Sequence, residues 1–357
     1  MTLFKLRGIL SARMSFILAI LGISFVLIIW FILTSGANPI VTSAILPKPS
    51  RVLSAYADLY RDNEIFRNTF LSVGLNLAGY LEAIAISFPL GFIIGLYPVF
   101  RGSFQRQVDA VRYIPLTALT GLFIVWFGIG TSMKVHFLAF GILIYLLPVI
   151  VQRIDEVNDV YLKTVYTLGA SDWQTIRTVY IPSVISRLSD DIRVLTAISW
   201  TYIIVAEGIG STGGIGALIW RAGLRQGRID KVFAILLIIM LIGVLQDKLF
   251  IYLDRLFFPH KYQIKESTQY KKSRENAPLH LVWNYLRSMS VWLFIGLYAL
   301  LVWDIFFKIF GDVAILQYLF SDTILAVHLI MWLIIGYQVR RLVRSGKFKL
   351  QPKRMSS

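Results

Sequence analysis

The chain contains no cysteine, which removes disulfides, thiolate metal sites and cysteine nucleophiles from consideration. Charge is scarce as well: 16% of its 357 residues are Asp, Glu, Lys or Arg, where soluble domains carry about 25%. Acid is the scarcer sign, with 20 acidic against 36 basic residues and a formal net charge of +16. In a soluble protein that excess would suggest nucleic acid. In a chain that is 57% hydrophobic it reads instead as positive-inside bias and attraction to anionic membrane lipid, with no nucleic-acid partner. The four histidines, His136, His260, His280 and His328, are scattered without metal-ligand spacing. No phosphate-binding G-x-x-x-x-G-K-S/T motif occurs, so the chain is expected not to be an enzyme and to bind no cofactor of its own.

What the chain has in quantity is long apolar runs. A helix needs about twenty apolar residues to cross about 30 Å of hydrocarbon, and only helices or closed barrels satisfy their backbones there. The expectation is an all-α polytopic membrane protein with eight spans, at about 15–33, 65–99, 113–127, 135–151, 194–206, 232–253, 291–310 and 315–339. Residues 1–64 form an N-terminal span and outer segment, in which Ser50 is placed to cap a short surface helix over about 51–60. Residues 65–258 form the core, 259–288 a basic cytoplasmic linker, and 289–357 two additional spans with a basic tail. In the second run Gly74, Gly79, Gly91 and Gly95 recur, which predicts close helix contact or a break near Pro89. With both termini cytoplasmic, 26 of the 36 Lys and Arg fall on the cytoplasmic side, as insertion bias requires.

The longest charge-bearing run between two spans is residues 152–193. Its centre, Leu168-Gly169-Ala170-Ser171, lies between two short helical patterns, and Ile181-Pro182 closes the second. Gly169 permits a sharp turn. This predicts a helix-turn-helix on the cytoplasmic membrane surface, suited to a soluble partner.

Three further features stand out. Gly208, Gly210 and Gly213 formally match a dinucleotide fingerprint, but they follow a span and not a strand, so a re-entrant or substrate-side loop is the better reading. Glu82 and Glu207 are ionisable groups in or near the membrane, where such groups are costly and often functional. Both are candidates for the pathway or its gating, with a hydrogen bond from Asn76 or Tyr80 as the plain alternative for Glu82. His328 is expected to be a packing residue.

Taken together, these stretches resemble one family. Lys163-Thr-Val-Tyr-Thr-Leu-Gly169-Ala170-Ser171-Asp-Trp173 with Val179-Tyr-Ile-Pro182, preceded by Leu46-Pro47-Lys48-Pro49-Ser50, Ile114-Pro115-Leu116 and Trp126-Phe127-Gly128-Ile129-Gly130 and followed by Val205-Ala206-Glu207, are similar to the inner-membrane permeases of bacterial ABC importers of the nitrate/sulfonate/taurine type. The resemblance covers about residues 40–260. It implies a six-span type I permease core, here with two extra C-terminal transmembrane helices, in a multi-pass inner-membrane protein. It also implies a homodimeric pore, cytoplasmic ATPase subunits that carry the ATP, and an extracytoplasmic solute-binding protein. Lys163, Leu168, Gly169, Ala170, Ser171, Trp173, Ile181 and Pro182 would form the ATPase-docking loop. The family commonly opens this helix with Glu-Ala-Ala, where this chain has Lys163, Thr164 and Val165. The solute is open among nitrate, sulfonates such as taurine, bicarbonate and pyrimidine precursors. The rival is a secondary transporter without an ATPase, which would need inverted repeats around a midplane site.

Overall fold

The computed structural model describes residues 11–36, 38–209, 213–258, 261 and 278–344. Most of the linker, the tail beyond 344 and Gly210 lie outside the described residues. All regular structure among the described residues is helical. Contacts divide the chain into two units, residues 1–65 with 218–241 and residues 66–217 with 242–357.

The first unit holds α1 (Ala12–Thr34), α2 (Pro49–Asp62) and the opening turns of α11 (Ile229–Phe257). The α2 helix buries Val52, Ala55 and Leu59, one face of a 3.6-residue period. Lys48, not Ser50, occupies its N-cap position. Pro49 is the reason: its fixed φ suits the first helical position, where its missing N–H costs nothing, and this draws Ser50 into the first turn. Trp30 donates its ring N–H to the Pro47 carbonyl at 2.9 Å, Tyr56 donates to the Ala234 carbonyl at 3.2 Å, and Arg228 joins Asp58 and Asp230, each at 2.8 Å.

The second unit is built on α3 (Ile65–Leu96), α4 (Pro98–Val111), α5 (Thr120–Phe127), α6 (Thr131–Asp155), α7 (Asp159–Thr167), α8 (Asp172–Thr175), α9 (Ile181–Gly208) and α10 (Ile215–Trp220, which reaches into the first unit). The later part of α11, α12 (Pro278–Phe307), α13 (Ile315–Phe320) and α14 (Ile324–Arg344) complete it. The glycine ladder of α3 does what its spacing predicts. A Cβ on Gly79, Gly91 or Gly95 would sit 2.7, 2.5 or 2.7 Å from Leu138, Ile150 or Ile154, so glycine is what lets α6 approach. The expected alternative, a break at Pro89, does not occur: α3 is one 32-residue helix with Pro89 inside it, a proline that membrane helices tolerate.

These pairings fix direction. Gly79, Gly91 and Gly95 meet α6 in the same order along both helices, so α3 and α6 run parallel, and the chain must return between them. The return segment is α4 with the Leu116–Phe127 stretch, bent by 95° at the break. The expected third span at 113–127 is therefore not a single helix. Pro115 holds the residue before it out of the α region, and a 3₁₀ turn over Leu116–Leu119 leads into the eight-residue α5. Helix α9 runs antiparallel to α6: Arg153 meets Asp191 near one end, and a Cβ on Gly141 would touch Tyr202 further along. It is also antiparallel to α11, through Arg193 with Asp247 and Trp200 with Gln246.

By length and composition five helices among the described residues can cross a membrane, Arg13–Thr34, Ile65–Leu96, Thr131–Asp155, Ile229–Arg255 and Ile315–Arg340, or six if the bent pair is one span. Eight were expected. Helix α9 is continuous over 28 residues, about 42 Å, but Arg187, Asp190, Asp191 and Arg193 make its first half polar. The apolar stretch Val291–Phe307 is short for a full crossing.

Candidate functional site

Between α6 and α9 the chain builds the expected helix-turn-helix from local signals. Asn158 caps α7, accepting from the Val160 N–H at 2.9 Å. At its far end Leu168 is the C-cap and Gly169 takes φ +77°. The Gly169 N–H reaches the Tyr166 carbonyl and the Ala170 N–H the Val165 carbonyl, the paired bonds of a Schellman close. Ser171 then starts α8 at once, its hydroxyl accepting from the Gln174 N–H while Gln174 accepts from the Ser171 N–H at 2.8 Å. Two helices thus stop and start within four residues with their terminal groups satisfied. A π-helical segment, Ile176–Tyr180, passes directly into α9.

Pro182 therefore opens α9 and does not close the preceding helix. It sits in the first turn of α9, where its lost N–H is harmless. The consequence is mechanical: the α8 end of the hairpin is continuous with a helix that packs along α6. One apolar seam joins the two regions, with Val157, Val179, Val184 and Leu188 in the same core as Leu146, Ile150 and Ile203. Around it lies a charged brace. Arg153 holds Asp191 at 2.7 Å and Glu156 at 2.6 Å, Arg187 also holds Glu156 at 2.9 Å, and Arg101 of α4 pairs with Asp155. Facing outward are Leu168, 81% exposed, and Trp173, 66% exposed, beside Tyr161 and Tyr166. Lys163 is exposed on α7, Ala170 is half-buried, Ser171 and Pro182 are exposed, and Ile181 packs against the seam.

The glycine turn lies at the opposite end of α9. Glu207 is fully buried, accepting from the Ser72 hydroxyl at 2.6 Å and the Gly216 N–H at 2.7 Å. Ser72 in turn accepts from the Ile215 N–H at 2.8 Å, and Asn68 accepts from the Gly214 N–H at 2.7 Å. Gly213 and Gly214 adopt φ +110° and +101°; a Cβ on Gly214 would fall 2.2 Å from the Glu207 carboxyl. Gly208 is the last residue of α9. Glu207 is thus the anchor that ties the turn to α3.

Residues 87–258 match the family model described as "Binding-protein-dependent transport system inner membrane component". Over that segment, a little under half of the chain, it carries the domain typical of ABC importer permeases. Among similar proteins, one from Methanocaldococcus jannaschii named as an ABC transporter permease is 27% identical over 246 residues, 67% of this chain and 90% of its own length. A Bacillus subtilis protein named for aliphatic sulfonate transport is 27% identical over 64% of this chain and 82% of its own. The taurine transport system permease of Escherichia coli is 24% identical over 68% and 88%. The similarity is to permease components of ABC importers, membrane transport components whose family implies an ATPase and a binding protein as partners, and the chain has several helices apolar enough to cross a membrane.

Within the permease, Glu82 binds neither Asn76 nor Tyr80. It pairs with His136 of α6 at 2.6 Å, while Asn76 donates to Ser199 at 2.9 Å. His328 packs as expected, bonded to Tyr298 at 2.6 Å. Sequence reasoning missed Asn68 and Ser72 as partners of the glycine turn, the buried Lys134 and the Arg153 brace. It also passed over Ser171-x-x-Gln174, a capping box legible in sequence.

The brace makes a pH prediction. Arg153, followed by Arg187, holds the Glu156 carboxyl below the usual carboxylate range. A depressed carboxyl contributes stability above its unfolded value, roughly pH 4.3, and loses it as pH falls through the lower folded value. Because the group is partly exposed, the contribution is about 1 kcal/mol or less. Amide protection across 153–190, taken relative to the intrinsic exchange rate at each pH, is expected to fall between about pH 5 and pH 3 in the parent protein, and Glu156→Gln to flatten that dependence.

Proposed function

We propose that this permease forms, as a homodimer, the pore of an ATP-driven importer for small organosulfonates or related anions, and that the hairpin at 157–180 is where the ATPase docks. The observation that carries the docking reading is the hairpin itself: exposed Leu168 and Trp173 on a turn braced through Arg153 and continuous with α9. A partner that moves Trp173 moves α9 and, packed against it, α6. The solute class rests on the relatives named for taurine and aliphatic sulfonates. Both termini are placed on the hairpin side of the membrane, where the excess of Lys and Arg lies. The α13–α14 segment contributes one further span, and the shorter apolar stretch of α12 is read as a second. Proteoliposomes holding the permease, its ATPase and its binding protein are expected to take up labelled taurine or an alkanesulfonate only with internal ATP. Uptake that proceeds without an ATPase would instead favour the secondary-transporter reading.

A further inference from the structure

We infer that the C-terminal helices complete an oxyanion-binding site at the end of the spans opposite the hairpin. The corner between α13 and α14 is driven into the core. A Cβ on Gly74 would lie 2.2 Å from the Thr323 hydroxyl, the Phe70 and Phe320 rings meet edge to face at 5.5 Å, and Arg67 lies 4.7 Å over the Tyr318 ring. Thr131 donates to Asp322 at 2.8 Å. Ser321, at this corner, adopts φ 45° and ψ −127°, a conformation that costs a non-glycine residue of order 1–3 kcal/mol and concentrates at binding sites.

Beside the corner lies a cavity of 330 Å³ lined by Arg67, Leu71, Leu75, Lys134, Phe320 and Asp322, with the Thr131, Ser321 and Thr323 side chains at its edge. That is the lower end of the size range of small-ligand pockets. Its cations come from the core, Arg67 from α3 and the deeply buried Lys134 from α6, whereas the corner brings hydroxyls and one carboxylate. Glu207 lies close enough to Lys134 to offset part of its charge, and with Asp322 the carboxylates equal the cations in number, so an oxyanion would be held by direct contacts to Arg67 and Lys134 and not by an excess of positive charge. Leu71, Leu75 and Phe320 give room for a short apolar stem. The ligand class is an oxyanion head on a small apolar body, found both in a free alkanesulfonate and in the phosphate of an anionic lipid.

The test uses the purified full-length permease without ATPase, so it stands or fails separately from the importer reading. One arm titrates ethanesulfonate into delipidated protein in detergent. The other measures retention of phosphatidylglycerol against phosphatidylcholine in nanodiscs by native mass spectrometry. Arg67→Gln should weaken binding about tenfold or more, the loss of one charge-assisted contact. Asp322→Asn, removing a like charge, should tighten it severalfold, a direction that mere structural damage would not produce. Thermal unfolding of both variants checks that they fold. This charge order with ethanesulfonate identifies a free solute, and the same order with phosphatidylglycerol identifies a lipid; both support the site. Folded variants that change neither probe's binding, or weaken it alike, would overturn it.

Discussion

Gly169→Asp abolishes ATP-coupled uptake while the permease stays folded and in the membrane: that is the expected result at the hairpin. Gly169 has φ +77°, the left-handed region that costs an ordinary L-residue roughly 1–2 kcal/mol and that aspartate tolerates better than most. A Cβ there meets nothing within 4 Å, so no neighbour is displaced, and the Schellman bonds are made by backbone. The damage to the free protein is therefore small and local. If the hairpin docks the ATPase, the open space over Gly169 is filled in the complex, and an aspartate would be an unpaired charge in an interface, which costs several kcal/mol and therefore at least a hundredfold in affinity. Uptake should fall by that factor or more, with amounts in the membrane and thermal unfolding nearly unchanged. Normal uptake by the variant would remove the hairpin from the coupling path.

Glu207→Ala is expected to act in the opposite way, through the fold. Its carboxylate accepts from Ser72 and the Gly216 N–H with no exposure to solvent, and it stands near Lys134. Truncation leaves these buried donors without their acceptor and removes the negative charge near Lys134, a loss of about 3–5 kcal/mol. Glu207→Gln keeps the shape and one acceptor oxygen and should cost roughly half as much. Thermal unfolding in one detergent should rank parent, Gln and Ala variants in that order. Equal stability of all three would mean that Glu207 does not hold the glycine turn.

The features legible in sequence are those whose signal is local. The glycine ladder of α3 announces a close neighbour, and Gly169 followed by Ser171 announces one helix ending and another starting. Proline is ambiguous at this level, because a proline after a helix and a proline in the first turn of the next look alike. Pro182 was legible as a boundary, but the helix runs through it, since the Ile176–Tyr180 segment passes directly into α9, whose first turn holds the proline. Pro115 and Pro89 show the same ambiguity: the first breaks its span, and the second sits inside a helix held by neighbours. Partners far apart in the chain were not legible. Glu82 finds His136 and Glu207 finds Ser72 because α3, α6 and α9 lie side by side, and the glycines that announce a close approach do not say which polar side chains it brings together.

The absence of cysteine makes the central claim directly measurable, since any thiol introduced is the sole one in the chain. With Leu168→Cys in the hairpin and, as a control, Asp312→Cys on an exposed site in the α12–α13 connection, a short bifunctional cross-linker is applied to membranes containing the ATPase. If the hairpin docks the ATPase, position 168 yields a permease–ATPase adduct and position 312 yields none. A Leu168→Cys permease that transports normally yet gives no adduct would contradict the account.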